Sequence, residues 1–195
     1  MRSKKIFAWV GLVLGGAQIL LMLTSWLLTA AMPEVFGRSL LSAEGIRWFL
    51  GQFQYNMASP LLVWLVVCSI AWGCYCKSGI QRFNHQEYRQ RFALGVACFA
   101  SLVFLVIMLA LTLLPHAILL NVMGGLVPSS FTQCIIPYCA FACAVVSCIF
   151  GMMSGKMKGV EGVFEAMTSG IAWGAPYFIL YILGAQLYYS VTFLM

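Results

Sequence analysis

The chain has no aspartate, and its five carboxylates, Glu34, Glu44, Glu87, Glu161 and Glu165, all stand outside its long apolar runs. Ionisable groups inside such runs are the usual marks of proton relays and ion paths across a membrane, and here there are none. Histidine is nearly absent too, with two in 195 residues. Nucleophile elbows, phosphate-binding loops and zinc signatures are missing, so no enzyme is expected and no cofactor is implied. No basic face exists outside short loops, which sets nucleic acid aside as a partner.

What the chain does have is apolar length. Five stretches, about 6–32, 57–76, 92–114, 134–153 and 171–195, are free of Asp, Glu, Lys and Arg. Each has the roughly 20 residues needed to cross a hydrocarbon core about 30 Å thick. The expected fold is an all-α integral membrane protein with five transmembrane helices, forming one transmembrane domain over residues 1–195. The loops are too short to hold a soluble domain.

Orientation follows from the cations. Arg2, Lys4, Lys5, Lys77, Arg82, Arg89, Arg91, Lys156 and Lys158 fall on one side, and only Arg38 and Arg47 of the eleven fall on the other. The positive-inside rule makes the first side cytoplasmic, with the N-terminus inside and the C-terminus outside. The first stretch also carries the basic start and the small residues, Thr29-Ala30-Ala31, of a secretory signal. Its apolar run is about twice the usual signal core, which favours an uncleaved anchor.

Eight cysteines invite a disulfide or metal reading. Cys68, Cys98, Cys139, Cys143 and Cys148 lie within apolar helix, where thiols act as small hydrophobes. Cys139 and Cys143 share a face, but their span offers no His, Asp or Glu to complete a coordination shell, so no metal is expected. Cys74 and Cys76 sit where a reducing compartment begins.

After the first span, Met32-Pro33 stops the helix. Ser42 then makes a good N-cap, with Glu44 near the positive end of the dipole. Ile46, Phe49, Leu50 and Phe53 recur at helical spacing and Trp48 offers an interfacial anchor, which predicts an amphipathic helix on the outer membrane surface. Glu44-Gly45-Ile46 is matched by Glu161-Gly162-Val163, and Pro60 by Pro176, with one linking span between the two pairs. That spacing is the arithmetic of an inverted-topology repeat, a transporter ground plan; chance similarity between apolar segments is the alternative. Gly11 with Gly15, and Gly170 with Gly174, are G-x-x-x-G pairs suited to close helix packing, within the chain or at a dimer seam.

The candidate site residues are few. Glu161 and Glu165 share a face just ahead of the last span, either as a proton or cation site or as a solvated first turn. Gln18 and Gln186 lie deep enough to require hydrogen-bonding partners in other helices. His116, following Pro115, reads as an interfacial cap.

Several segments, in order, resemble the p-aminobenzoyl-glutamate transporter (AbgT) family: Leu40-Leu41-Ser42-Ala43-Glu44-Gly45-Ile46-Arg47-Trp48, Ala58-Ser59-Pro60 through Lys77-Ser78-Gly79, Leu126-Val127-Pro128-Ser129-Ser130-Phe131 with Ile135-Ile136-Pro137, Ile149-Phe150-Gly151 through Gly155-Lys156, Glu165-Ala166-Met167, and Gly184-Ala185-Gln186-Leu187. The resemblance implies a dimeric secondary transporter of inverted-repeat build in the bacterial inner membrane, serving aminobenzoyl-glutamate or folate-pathway antimetabolites. It also implies two re-entrant hairpins for which this sequence has no room. Cys76 stands where the family has a Glu, and Thr192-Phe193-Leu194-Met195 where it shows Asn-Trp-Ser-Asn. No substrate-binding residue therefore carries across. The expectation is a reduced AbgT-like transporter or transporter subunit, working as a homo-oligomer or with a second membrane subunit; the alternative is a non-transporting membrane scaffold or accessory protein.

Overall fold

A computed structural model describes residues 2–34, 37–83, 86–113 and 130–195. Among them there is no strand. The helices are α1 (Arg2–Ala31), α2 (Ala43–Gly51), α3 (Phe53–Met57), α4 (Pro60–Ser78), α5 (Tyr88–Leu113), α6 (Ser130–Met153) and α7 (Gly159–Leu194), with a 3-10 turn at Ile80–Arg82. Five of them, α1, α4, α5, α6 and α7, are long and apolar enough to cross a membrane. The chain divides into two compact units, Met1–Leu62 with Ala175–Met195, and Val63–Gly174.

In the first unit, α1 ends where Met32 N–H reaches the Leu28 carbonyl at 2.9 Å and Pro33 follows; a proline cannot extend the ladder. Its hydroxyls stay quiet in an apolar setting by donating to their own helix. Thr24 Oγ1 donates to Leu20 O and Ser25 Oγ to Met22 O, both at 2.9 Å. Two further bonds tie the following loop back to α1: Thr29 Oγ1 donates to Arg38 O (3.1 Å), and Leu40 N–H donates to Ser25 Oγ (3.3 Å). Leu40 and Ser39 are buried as a result.

The N-cap expected at Ser42 is present: Gly45 N–H donates to Ser42 Oγ at 3.1 Å, while Ser42 Oγ donates to Ser39 O at 2.7 Å. Gly45 packs so closely that an added Cβ would overlap the Ser39 carbonyl and the Leu40 backbone. The helix is shorter than its apolar spacing suggests. It closes at Gly51, and Phe53 begins the separate turn α3. Trp48 finds a protein partner, stacking on Phe193 with ring centroids 4.5 Å apart, and the Arg38 guanidinium lies 5.8 Å from the same ring.

Most of α4 belongs to the second unit; the helix starts at Pro60, because proline suits the first helical position, where its missing N–H has no intrahelical partner to lose. Gly79 follows its end with φ 73°, the left-handed conformation that terminates helices, and Lys156 Nζ caps the Gly79 carbonyl at 3.1 Å. The core here is built of small side chains: Ala71, Cys74, Ala140, Ala144, Cys148 and Ala166 pack with Met157. Glycine carries the closest approach. A Cβ on Gly73 would overlap Ala166 O and the Gly170 backbone, and a Cβ on Gly170 would overlap Ser69 O. Hydrophobicity cannot drive helices together in lipid, so such backbone contact supplies the dispersion that does. A second cluster, Ala93, Ala97 and Phe150, joins α5 to α6, and the Tyr138 hydroxyl donates to Phe104 O at 2.6 Å across the same pair.

The last helix begins well ahead of its apolar stretch. α7 begins at Gly159, not 171, and runs 36 residues. At 1.5 Å per residue it is about 54 Å long, well beyond a hydrocarbon core of about 30 Å. Nothing in its polar first turns, Glu161 and Glu165 included, breaks a helix, so hydropathy marks where lipid begins and not where the helix does.

Candidate functional site

Polar groups gather in two places. In the second unit, Lys77, Lys156, Lys158, Glu161 and Glu165 surround an open groove of about 310 Å³. Lys77 at the end of α4 pairs with Glu165 of α7 at 2.8 Å, with both side chains substantially exposed. Glu161 lies one turn earlier on the same face and lines the same groove. The three lysines outnumber the two acids, so the groove presents a net positive, water-facing surface. An exposed pair of this kind contributes little to stability. Its charges remain available to a solute.

The first unit holds the other place, inside the apolar zone. Gln18 stands midway along the α1 span between Lys5 and Ala31. Its Nε2 donates to Ser190 Oγ of α7 at 2.9 Å. Ser190 is fully buried, and Gln186, one turn earlier on α7, is 5% exposed. Gln18 Oε1 and both polar atoms of the Gln186 carboxamide have no hydrogen-bond partner among the described residues. The structure therefore joins α1 to α7 through the bond from Gln18 to Ser190, a serine that composition alone did not single out, and Gln186 stands one turn from that serine on α7. Spacing offered one clue: Ser190 follows Gln186 by four residues and shares its face.

The other sequence-derived positions separate. Gly11 faces the Leu180 side chain at an ordinary 3.9 Å from a would-be Cβ, and Gly15 meets nothing within 4 Å. Gly170 is tightly packed, but against Gly73 and Ser69, and Gly174 is buried. His116 and the segment Leu126 to Ser129 lie outside the described residues. Cys139 and Cys143 line two apolar grooves, of about 600 and 510 Å³, whose walls include Trp72, Tyr75, Phe104 and Tyr138.

Five long apolar helices, with a buried carboxamide seam in one unit and a charged groove in the other, define a multi-pass helical membrane protein. Residues 73–193 match the AbgT transporter family, and the chain belongs to that family. Its role is accordingly one of transport across the membrane. No curated protein is detectably similar to it. No solved structure is detectably similar either.

Proposed function

We propose that this chain moves an anionic aromatic amide, p-aminobenzoyl-glutamate or a related antimetabolite, across the bacterial inner membrane, alone as a homo-oligomer or as a subunit beside a second membrane protein. In this reading the basic end, with Lys77, Lys156 and Lys158, faces the cytoplasm, the N-terminus is inside and the C-terminus outside. The α2 helix lies on the outer surface, and α1 with α4 is related to α6 with α7 as an inverted repeat.

The observation that carries this reading is the charged groove on a member of a transporter family. A net positive groove concentrates carboxylates by its field, and Glu161 and Glu165, the latter paired with Lys77, supply carboxylate acceptors for an amine. The grooves walled by Trp72, Tyr75, Phe104 and Tyr138 suit an aryl ring, which gains from edge and face contacts with aromatic side chains. Gln18 and Gln186 provide neutral hydrogen-bonding steps within the membrane.

Proteoliposomes holding the full chain should accumulate labelled p-aminobenzoyl-glutamate, and Glu161→Gln combined with Glu165→Gln should slow that uptake several-fold. Uptake equal to that of empty vesicles would leave a non-transporting scaffold as the better account. Labelling of single cysteines at the two chain ends should place them on opposite faces.

A further inference from the structure

The Gln18–Ser190–Gln186 seam leaves polar atoms unspent where they are most costly. In hydrocarbon every polar group must find its partner within the protein or in a trapped molecule, since no bulk water is at hand. Gln186 is nineteen-twentieths buried, so a neighbouring chain cannot reach it, yet its carbonyl and amide both lack a partner among the described residues. Gln18 Oε1 lacks one too, while its amide is committed to Ser190. These groups include two carbonyl acceptors and one amide donor. No Asp, Glu, Lys, Arg or His lies on α1 from Ile6 to Ala31 or on α7 from Ala166 to Leu194. With only neutral dipoles on these two helix stretches, the seam suits an occupant that both donates and accepts hydrogen bonds without carrying charge.

We infer that Gln18, Gln186 and Ser190 form a hydrated binding station at mid-membrane for a small uncharged hydrogen-bonding group. Water is the resident, and an amide or arylamine group of a solute displaces it. Water satisfies a seam of this kind because one molecule makes two to four hydrogen bonds to buried polar atoms. The solute step deepens the transport reading above and rests on it; the resident water does not.

Two measurements test the station. Gln186→Leu, made in the otherwise unaltered chain, removes a carboxamide of similar volume. If that carboxamide is bonded to trapped water, its loss lowers the thermal unfolding midpoint in detergent, whereas removing a truly unsatisfied group leaves the midpoint unchanged or raises it. Separately, Gln186→Cys, in a chain whose eight native cysteines are replaced, should react with a water-borne methanethiosulfonate at least tenfold faster than Tyr188→Cys, whose position is two-thirds exposed on the outer surface of the helix. An unchanged or raised midpoint for Gln186→Leu overturns the station, as does reaction at Gln186→Cys no faster than at Tyr188→Cys. The leucine variant needs no cysteine replacement and decides alone if the cysteine-depleted chain does not fold. Fast labelling in a chain that takes up no solute keeps the station and removes the transport reading; uptake with an unreactive Gln186→Cys does the reverse.

Discussion

Gly73 of α4 and Gly170 of α7 meet backbone to backbone, so closely that a single methyl group on either would overlap the other helix. Gly170→Ala should therefore cost about 1–3 kcal/mol, the range of overpacking in a tight interior, and should lower the unfolding midpoint in detergent. Gly15→Ala, with open space at the same point, should leave it unchanged. Equal effects of the two substitutions would mean that α4 and α7 do not touch here.

The hydrogen bond from Tyr138 to the Phe104 carbonyl, 2.6 Å long, links α6 to α5 within apolar surroundings. Tyr138→Phe keeps the ring and removes only the donor. A loss of about 1 kcal/mol is expected, near the upper part of what interhelical bonds contribute in membranes. Chemical unfolding of the two proteins side by side reads the difference; equal stabilities would show that the hydroxyl has another acceptor or none.

Ser42→Ala removes the acceptor that holds the Gly45 amide and, with it, the donor to Ser39. Loss of such a cap costs about 1 kcal/mol. Because α2 has only nine residues, the effect should appear locally, as faster hydrogen exchange of its first-turn amides, while exchange in α5 stays as before. Unaltered exchange at Gly45 and Ile46 would count against the cap.

The exposed pair between Lys77 and Glu165 offers the opposite case. Water and salt screen charges at such a site. Glu165→Gln should leave the unfolding midpoint within the scatter of replicates, with or without added salt. Its consequence should fall on solute uptake instead. A clear loss of stability would make Glu165 a structural residue and take it out of the proposed path.

How much of this could be read from residues alone differs by element. The five long apolar helices were legible because apolar length is a local property, and Pro33 and Ser42 mark ends by chemistry that acts within a few residues. The start of α7 was not, since its first turns are polar without being helix-breaking. Glycine pairing was half legible: the G-x-x-x-G spacing drew attention to Gly170, but the surface it meets belongs to α4 and contains Gly73. Likewise Gln18 and Gln186 announced a need for partners by being polar in apolar helix, whereas Ser190 lies 172 positions from Gln18 along the chain.

By itself, then, the order of residues determined that the chain belongs in a bilayer, which stretches are apolar and long enough to cross one and which few polar groups they carry, because these depend on transfer free energies summed over neighbouring residues. Only the tertiary structure decided which glycine meets which, that Lys77 reaches Glu165, and that Gln18 bonds Ser190. Those outcomes depend on how helices cross, and a crossing is set by the shape of both partners at once.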